Sequence, residues 1–242
     1  MAGGLLGWES ALNKPVYIIG DTHGFFGELY EKLDQYEIKD CTLIHVGDGG
    51  EGFVKPQAKQ LRQYKHLNDF FKKREISYKS IRGNHSDPAQ FDGSIKLSNF
   101  ELLPDYHSEI INGEKFLFVG GAVSVDRKIR REGVSYWRDE AFVLDESKAQ
   151  KCDVLITHSA PNWIGPEDFS NISGWIAKDV HLPDELTEER RLHDRLYQIC
   201  QPSRAYAGHF HATYCVDFDD CHANILNILE IREHHPRKRN EN

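Results

Sequence analysis

The chain has 242 residues, 39% hydrophobic and 28% charged, with a formal net charge of −8. These are ordinary globular values for a length that buries a full core, and no run approaches the roughly 20 apolar residues of a membrane span. The excess of acidic over basic side chains (38 against 30) speaks against an extended nucleic-acid surface, which needs a basic face.

In chain order, Val16-Tyr17-Ile18-Ile19 is a short apolar run closed by Gly20, which reads as a buried strand. Gly27–Gln35 reads as a helix, Thr42–Val46 as a second strand, and Pro56–Lys73 as a helix with Leu61, Tyr64, Leu67, Phe70 and Phe71 at helical spacing. Ile76–Ile81 is a third strand. His107–Ile111 and Lys115–Gly120 flank Asn112-Gly113, a hairpin signal. Val154–Ile156 is another strand, Pro183–Gln201 a charged helix ending before Pro202, and Ser203–Ala207 a strand. Tyr214–Phe218 and Ala223–Ile231 suggest a last hairpin. The fold class is therefore α/β, parallel βαβ units giving way to antiparallel strands. A single domain over residues 1–233 is expected, with a basic polar tail over 234–242. Residues 1–14 lack a secretory pattern. The five cysteines form an odd set without a CxxC pair, which fits reduced thiols and a cytoplasmic location.

Five short segments carry the chemistry: GDTHG (20–24), GDGG (47–50), GNHSD (83–87), THSAP (157–161) and GHFHA (208–212). Each places Asp, Asn or His just past a strand end, where open α/β sheets bind substrates. Glycine beside the ligand permits sharp turns and close backbone approach. In Asp21-x-His23 and His209-x-His211, alternate residues of an extended segment face the same way. The donor set is too rich in nitrogen for Ca²⁺ and too rich in oxygen for structural zinc. It suits two divalent ions, Mn²⁺ first, with Fe or Zn²⁺ as alternatives. Asp48, alone on its strand end, is the expected bridge between them. His45, inside an apolar run, is expected as a hydrogen-bonded core residue. His66, His181, His193, His222, His234 and His235 are expected at the surface. Trp137, Trp163 and Trp175 lie in or near loops, as core residues or as a base-stacking platform.

The ordered set D-x-H, GD, GNH, H, GH-x-H, spanning residues 20–212, resembles the calcineurin-like metallophosphoesterases. GGAVSVDR (120–127) and YWRDE (136–140) are similar to the middle segment of bacterial and phage members. The resemblance implies two mixed sheets packed as a sandwich between helices, a four-layer αββα arrangement. It implies that Asp21, His23 and His211 hold one metal and Asn84, His158 and His209 the other, with Asp48 shared. It implies hydrolysis of phosphate mono- or diesters by water activated on the metals. His85 would protonate the leaving group or hold the phosphate, and Glu51 would orient His85. The Ser/Thr protein phosphatases of this superfamily carry GDxxDRG at the second motif. Here Gly52 follows Glu51, so the phosphate-gripping guanidinium is sought instead in Arg127, Arg130 and Arg131. The expected substrate is a phosphorylated small molecule, nucleotide or peptide. The alternatives are a nuclease or nucleic-acid phosphatase and, third, a metal-bearing interaction module without catalysis.

Overall fold

The computed structural model describes residues 13–166 and 172–236. The first twelve residues and the tail beyond 236 lie outside it, so the expectations for both are left as they stand.

Eleven strands fall into two sheets among the described residues. The first sheet is built from β1 (Val16–Ile19), β2 (Thr42–His45), β3 (Ser77–Ser80) and β4 (Phe100–Leu102), all parallel, with β11 (Ile231–Glu233) antiparallel to β1. The second has the order β5-β6-β7-β8-β10-β9. Its parallel centre is β6 (Glu114–Val119), β7 (Val154–Thr157), β8 (Arg204–Ala207) and β10 (Cys221–Ile225). Its antiparallel edges are β5 (His107–Ile111) and β9 (Tyr214–Phe218).

The two sheets face each other across one apolar layer. Val16, Ile18 and Ile44 from the first meet Phe116, Phe118, Val154, Ile156 and Tyr206 from the second, all buried. Each large side chain fully removed from water there contributes about 1.5–3 kcal/mol. Helices cover the outer faces. On the first sheet, α1 (Phe26–Gln35) contributes Leu29 and Leu33, and α2 (Gln57–Lys73) contributes Tyr64, Leu67 and Phe71. On the second, α4 (Leu182–Cys200) contributes Leu196, Tyr197 and Cys200. A short α3 (Ser173–Ile176) packs with Leu182 and Leu186. This is the αββα arrangement that the resemblance implied. No described helix is long and apolar enough to cross a membrane.

Several expectations need correcting. The last hairpin does not run to Ile231. β10 ends at Ile225, a turn through Leu229 (φ 55°) follows, and Ile231–Glu233 crosses to the other sheet. Leu61 is exposed, and Gln60 points inward because its Oε1 accepts the N–H groups of Gly52 (3.1 Å) and Val54 (3.0 Å). A polar residue is drawn in to serve the loop after β2. His193 and His234 are buried rather than superficial. His193 hydrogen-bonds the Glu189 carbonyl one turn back (2.9 Å). His234 lies between the Tyr206 hydroxyl (3.0 Å) and Glu114 (2.8 Å). His45 is a core residue bonded to Ser80 (3.0 Å), as the apolar run around it suggested. Asn112 and Gly113, both at positive φ, form the predicted hairpin turn.

Candidate metal centre

The carboxyl ends of β1, β2, β3, β7 and β8 open at one end of the sandwich and bring the five segments together. Glycines set the approach: a Cβ on Gly83 would overlap the Asp48 carboxylate, and one on Gly208 would overlap that of Asp21. Asp48, His23, His209 and His211 all sit at positive φ. Strain of about 1–3 kcal/mol per such residue persists where the surrounding fold imposes it, commonly at functional sites.

Two groups of candidate ligands result. Asp21, His23 and His211 form one, and Asp21, Asp48 and His158 the other. In the first, His211 Nε2 is 3.2 Å from Asp21 Oδ2 and 2.9 Å from His23 Nε2. In the second, His158 Nε2 is 3.4 Å from Asp48 Oδ1. The Asn84 amide oxygen joins them, 3.1 Å from His158 Nε2 and 2.9 Å from His209 Nδ1. The carboxylate common to both groups is Asp21, whereas the sequence reading gives the shared place to Asp48.

Buried neighbours orient these ligands. The Val46 carbonyl, 2.7 Å from His158 Nδ1, turns Nε2 into the site. Ser124 Oγ accepts from the Asn84 amide nitrogen (3.0 Å), so the amide oxygen faces inward. Ser124 in turn donates to Glu140. The serine-to-glutamate half of this recurs twice without a bond to a ligand side chain: Ser86 donates to Glu51 (2.8 Å), two residues from Asn84, and Ser159 to Glu189 (3.1 Å), next to His158. Three buried serine–glutamate pairs thus stand behind the ligand loops. Burial pushes the carboxyls of Glu51, Glu140 and Glu189 each up to about 7. Sequence reading missed Ser124, Glu140, Ser159 and Glu189. The signals were that Ser124 and Glu140 lie in the GGAVSVDR and YWRDE segments and Ser159 in THSAP; Glu189 had none.

The inner carboxylates behave differently. Burial opposes their charge, yet the charge of His158, followed by His85 and His23, holds Asp48 well below the carboxylate range. Asp21 is likewise lowered against burial by its hydrogen bond to His211 and the charge of His158. Burial pushes His209 down to about 3. Ionised carboxylates, imidazoles of which His209 is held neutral by burial, and an amide oxygen brought together at the strand ends are the donor chemistry a divalent transition metal takes. The residues present fit such a group.

The remaining expected site residues are placed as follows. His85 is half-buried, its ring edge-on to His23 with centroids 5.2 Å apart, and its backbone N–H donates to Asp48 Oδ1 (2.6 Å). Glu51 does not orient that ring directly, because its carboxylate is taken by Ser86 and, at 3.5 Å, Ser80. Arg127 turns away to Asp179 (2.7 Å) and Glu185. Arg131 is exposed. Arg130 comes nearest, donating to the Asn84 carbonyl (3.0 Å) and to Ser124. Trp175 joins the cluster under α4, and Trp163 stacks on Phe218 (4.6 Å). A separate concavity of about 1340 Å³, lined by Trp163, Tyr197 and Phe218, contains none of the ligand residues.

Comparison with known proteins bears on this geometry. A family profile described as calcineurin-like phosphoesterase matches residues 14–212. No match to a curated protein is found. One solved crystal structure aligns over 92% of this chain and 99% of its own at 14% identity, with a TM-score of 0.52. A conserved protein of Streptococcus pneumoniae, described as a predicted phosphoesterase, aligns at 11% identity over 89% of this chain and 72% of its own (TM-score 0.34). A 5'-nucleotidase precursor from Thermus thermophilus aligns at 14% identity over 90% of this chain and 49% of its own (TM-score 0.41).

Proposed function

This chain belongs to the calcineurin-like phosphoesterase family, and on that premise we propose that it hydrolyses phosphate esters at a centre of two divalent metal ions. The observation that carries the reading is at Asn84. Ring nitrogens from two separate strand ends stand within 3.1 Å of one amide oxygen, whose orientation Ser124 fixes. A turn-forming Asn that merely closed a loop would need no such convergence.

Asp21, His23 and His211 would hold one ion; Asn84, His158 and His209 the other; Asp48 or Asp21 would be shared. Two such ions, Mn²⁺ by preference, supply Lewis acidity to a phosphoryl oxygen and to the attacking water. The chain's own residues do the rest. Of the three arginines expected to grip the phosphate, Arg130 is the one that bonds a ligand loop, at the Asn84 carbonyl, while Asp126 and Glu140 pair with the same guanidinium. It takes the part of the Arg missing after Glu51. His85, its ring beside His23, meets the leaving-group oxygen as N–H donor and proton source. The Ser124–Glu140 pair keeps Asn84 aimed and need not touch substrate.

The net charge of −8 favours a small or peptide-borne phosphate over the extended backbone of a nucleic acid. A phosphorylated small molecule, nucleotide or peptide in the cytoplasm is the proposed substrate. Assay of an aryl phosphate, its bis-ester and single-stranded DNA with Mn²⁺ tests this. Turnover of the monoester or bis-ester supports the reading, cleavage of DNA alone replaces it with a nuclease, and no turnover of any of them contradicts it.

A further inference from the structure

Four rings stand in a row leading outward from the metal ligands. His23 meets His85 edge-on at 5.2 Å; His85 lies near-parallel to Phe53 (20°, 6.2 Å); Phe53 meets Trp137 edge-on at 5.3 Å. The inner two belong to the centre already described. The outer two are unexplained by it. Phe53 and Trp137 are only half-buried, and neither belongs to any of the hydrophobic clusters formed by the described residues. Trp163 and Trp175, by contrast, pack against such clusters. Two large, half-buried aromatic side chains outside those clusters, in contact with each other and, through Phe53, with His85, make a local apolar surface of the kind that marks a binding site.

Their backbones are fixed to the site from two sides. Phe53 follows the Asp48 loop, past Glu51 and Gly52 (φ 86°), and its N–H bonds the Gly50 carbonyl. The Trp137 N–H donates to Glu140 Oε2 (3.0 Å), the carboxyl that holds Ser124 behind Asn84. The pair is therefore held in register with the ligands. Beyond His85, the next rings reached from the ligands are Phe53 and then Trp137.

We propose that Phe53 and Trp137 form a subsite for an aromatic or heteroaromatic ring on the leaving-group side of the substrate, making aryl or nucleoside-type phosphoesters the favoured class. This rests on the phosphoesterase reading above. Offset or edge-to-face ring pairs contribute enough to change affinity by about 2- to 10-fold each.

Phenylphosphonate and ethylphosphonate carry the same anionic head, are not hydrolysed, and differ in the ring. Calorimetric titration of the Mn²⁺-reconstituted full chain should show phenylphosphonate binding roughly tenfold tighter. The ratio should fall toward one in Phe53→Leu and Trp137→Leu, and persist in Phe53→Tyr and Trp137→Phe, which keep the rings. Phe218→Leu, at the separate concavity, should retain it. Equal affinities in the wild type, or a preference that survives both leucine variants, overturns the subsite while leaving the centre intact. Failure of either phosphonate to bind in a Mn²⁺-dependent way overturns the centre itself, and the subsite with it.

Discussion

Asn84 reaches the centre as an oxygen donor because Ser124 occupies its nitrogen, and Ser124 is held by Glu140 and Arg130. Ser124→Ala should free the amide to rotate and weaken Mn²⁺ binding about 10- to 100-fold, the usual cost of losing such a partner, and should cost about 1–3 kcal/mol of stability because Glu140 and Arg130 lose a buried partner. Unchanged Mn²⁺ affinity would remove Ser124 from the site. His85 makes a different prediction, because it is assigned no coordination. An alkoxide leaving group needs a proton far more than a nitrophenolate does, and a positioned acid gives about 10²–10⁴-fold. His85→Ala should therefore cost alkyl phosphoesters severely and nitrophenyl esters mildly at unchanged metal content. Equal losses would assign His85 to phosphate binding alone. Six of the seven ligand candidates stand out in the sequence because each is next to Gly or Thr just past a strand-like run; His211 stands out through its H-x-H spacing from His209. Ser124, Glu140, Ser159 and Glu189 were not, since a serine or glutamate carries no local mark of whom it will bond. Glu51 was picked out for the right neighbourhood and the wrong partner: Ser86 intervenes.

At the level of elements, the strand ends place the ligands and glycine lets them close in. Gly208 leaves β8 directly against the Asp21 carboxylate. Gly208→Ala must displace either, at a cost of about 1–3 kcal/mol for the overpacked site, and should weaken metal binding more than Gly113→Ala, whose surroundings are open. Metal titration of both variants checks it; equal effects would mean that strand-end packing does not set the site. Strands with continuous apolar runs were readable from periodicity. β4 and β11, of three residues each, were not, because they are shorter than any pattern and are defined by their neighbours. Gln60 shows the same limit. Helical spacing favoured Leu61 inward, and two backbone N–H groups in the loop after β2 decided for the amide.

Across the whole molecule, buried imidazoles bear on stability. Burial lowers His193 and His45 to about 4 each. A base with a depressed folded-state pKa favours folding while neutral, so that stability is present above the unfolded value near 6.5. It is lost as pH falls toward 4, at about 1.4 kcal/mol per unit for each group. His193→Gln keeps a donor for the Glu189 carbonyl without a titrating ring. Denaturant unfolding of the metal-free proteins at pH 7 and pH 5 should show wild type losing about 2 kcal/mol more than the variant between them. Parallel losses would place the acid sensitivity elsewhere. Alternating helices and apolar strands made the α/β class legible by leaving few topologies, and the family resemblance supplied the αββα layering. The burial of His193 was not legible, since one polar position on a charged helix face says nothing about the sheet it will meet.

The measurement closest to the central claim is turnover of 4-nitrophenyl phosphate by chelator-stripped protein as Mn²⁺ is added back, read together with bound metal by elemental analysis. Wild type should be inactive without metal and reach its plateau at two equivalents. Asp48→Asn and Asp21→Asn should each lose most of that turnover, and the variant that binds fewer ions identifies the shared carboxylate. Turnover that survives chelation, a plateau with less than one bound equivalent, or wild-type rates in both variants would contradict the account.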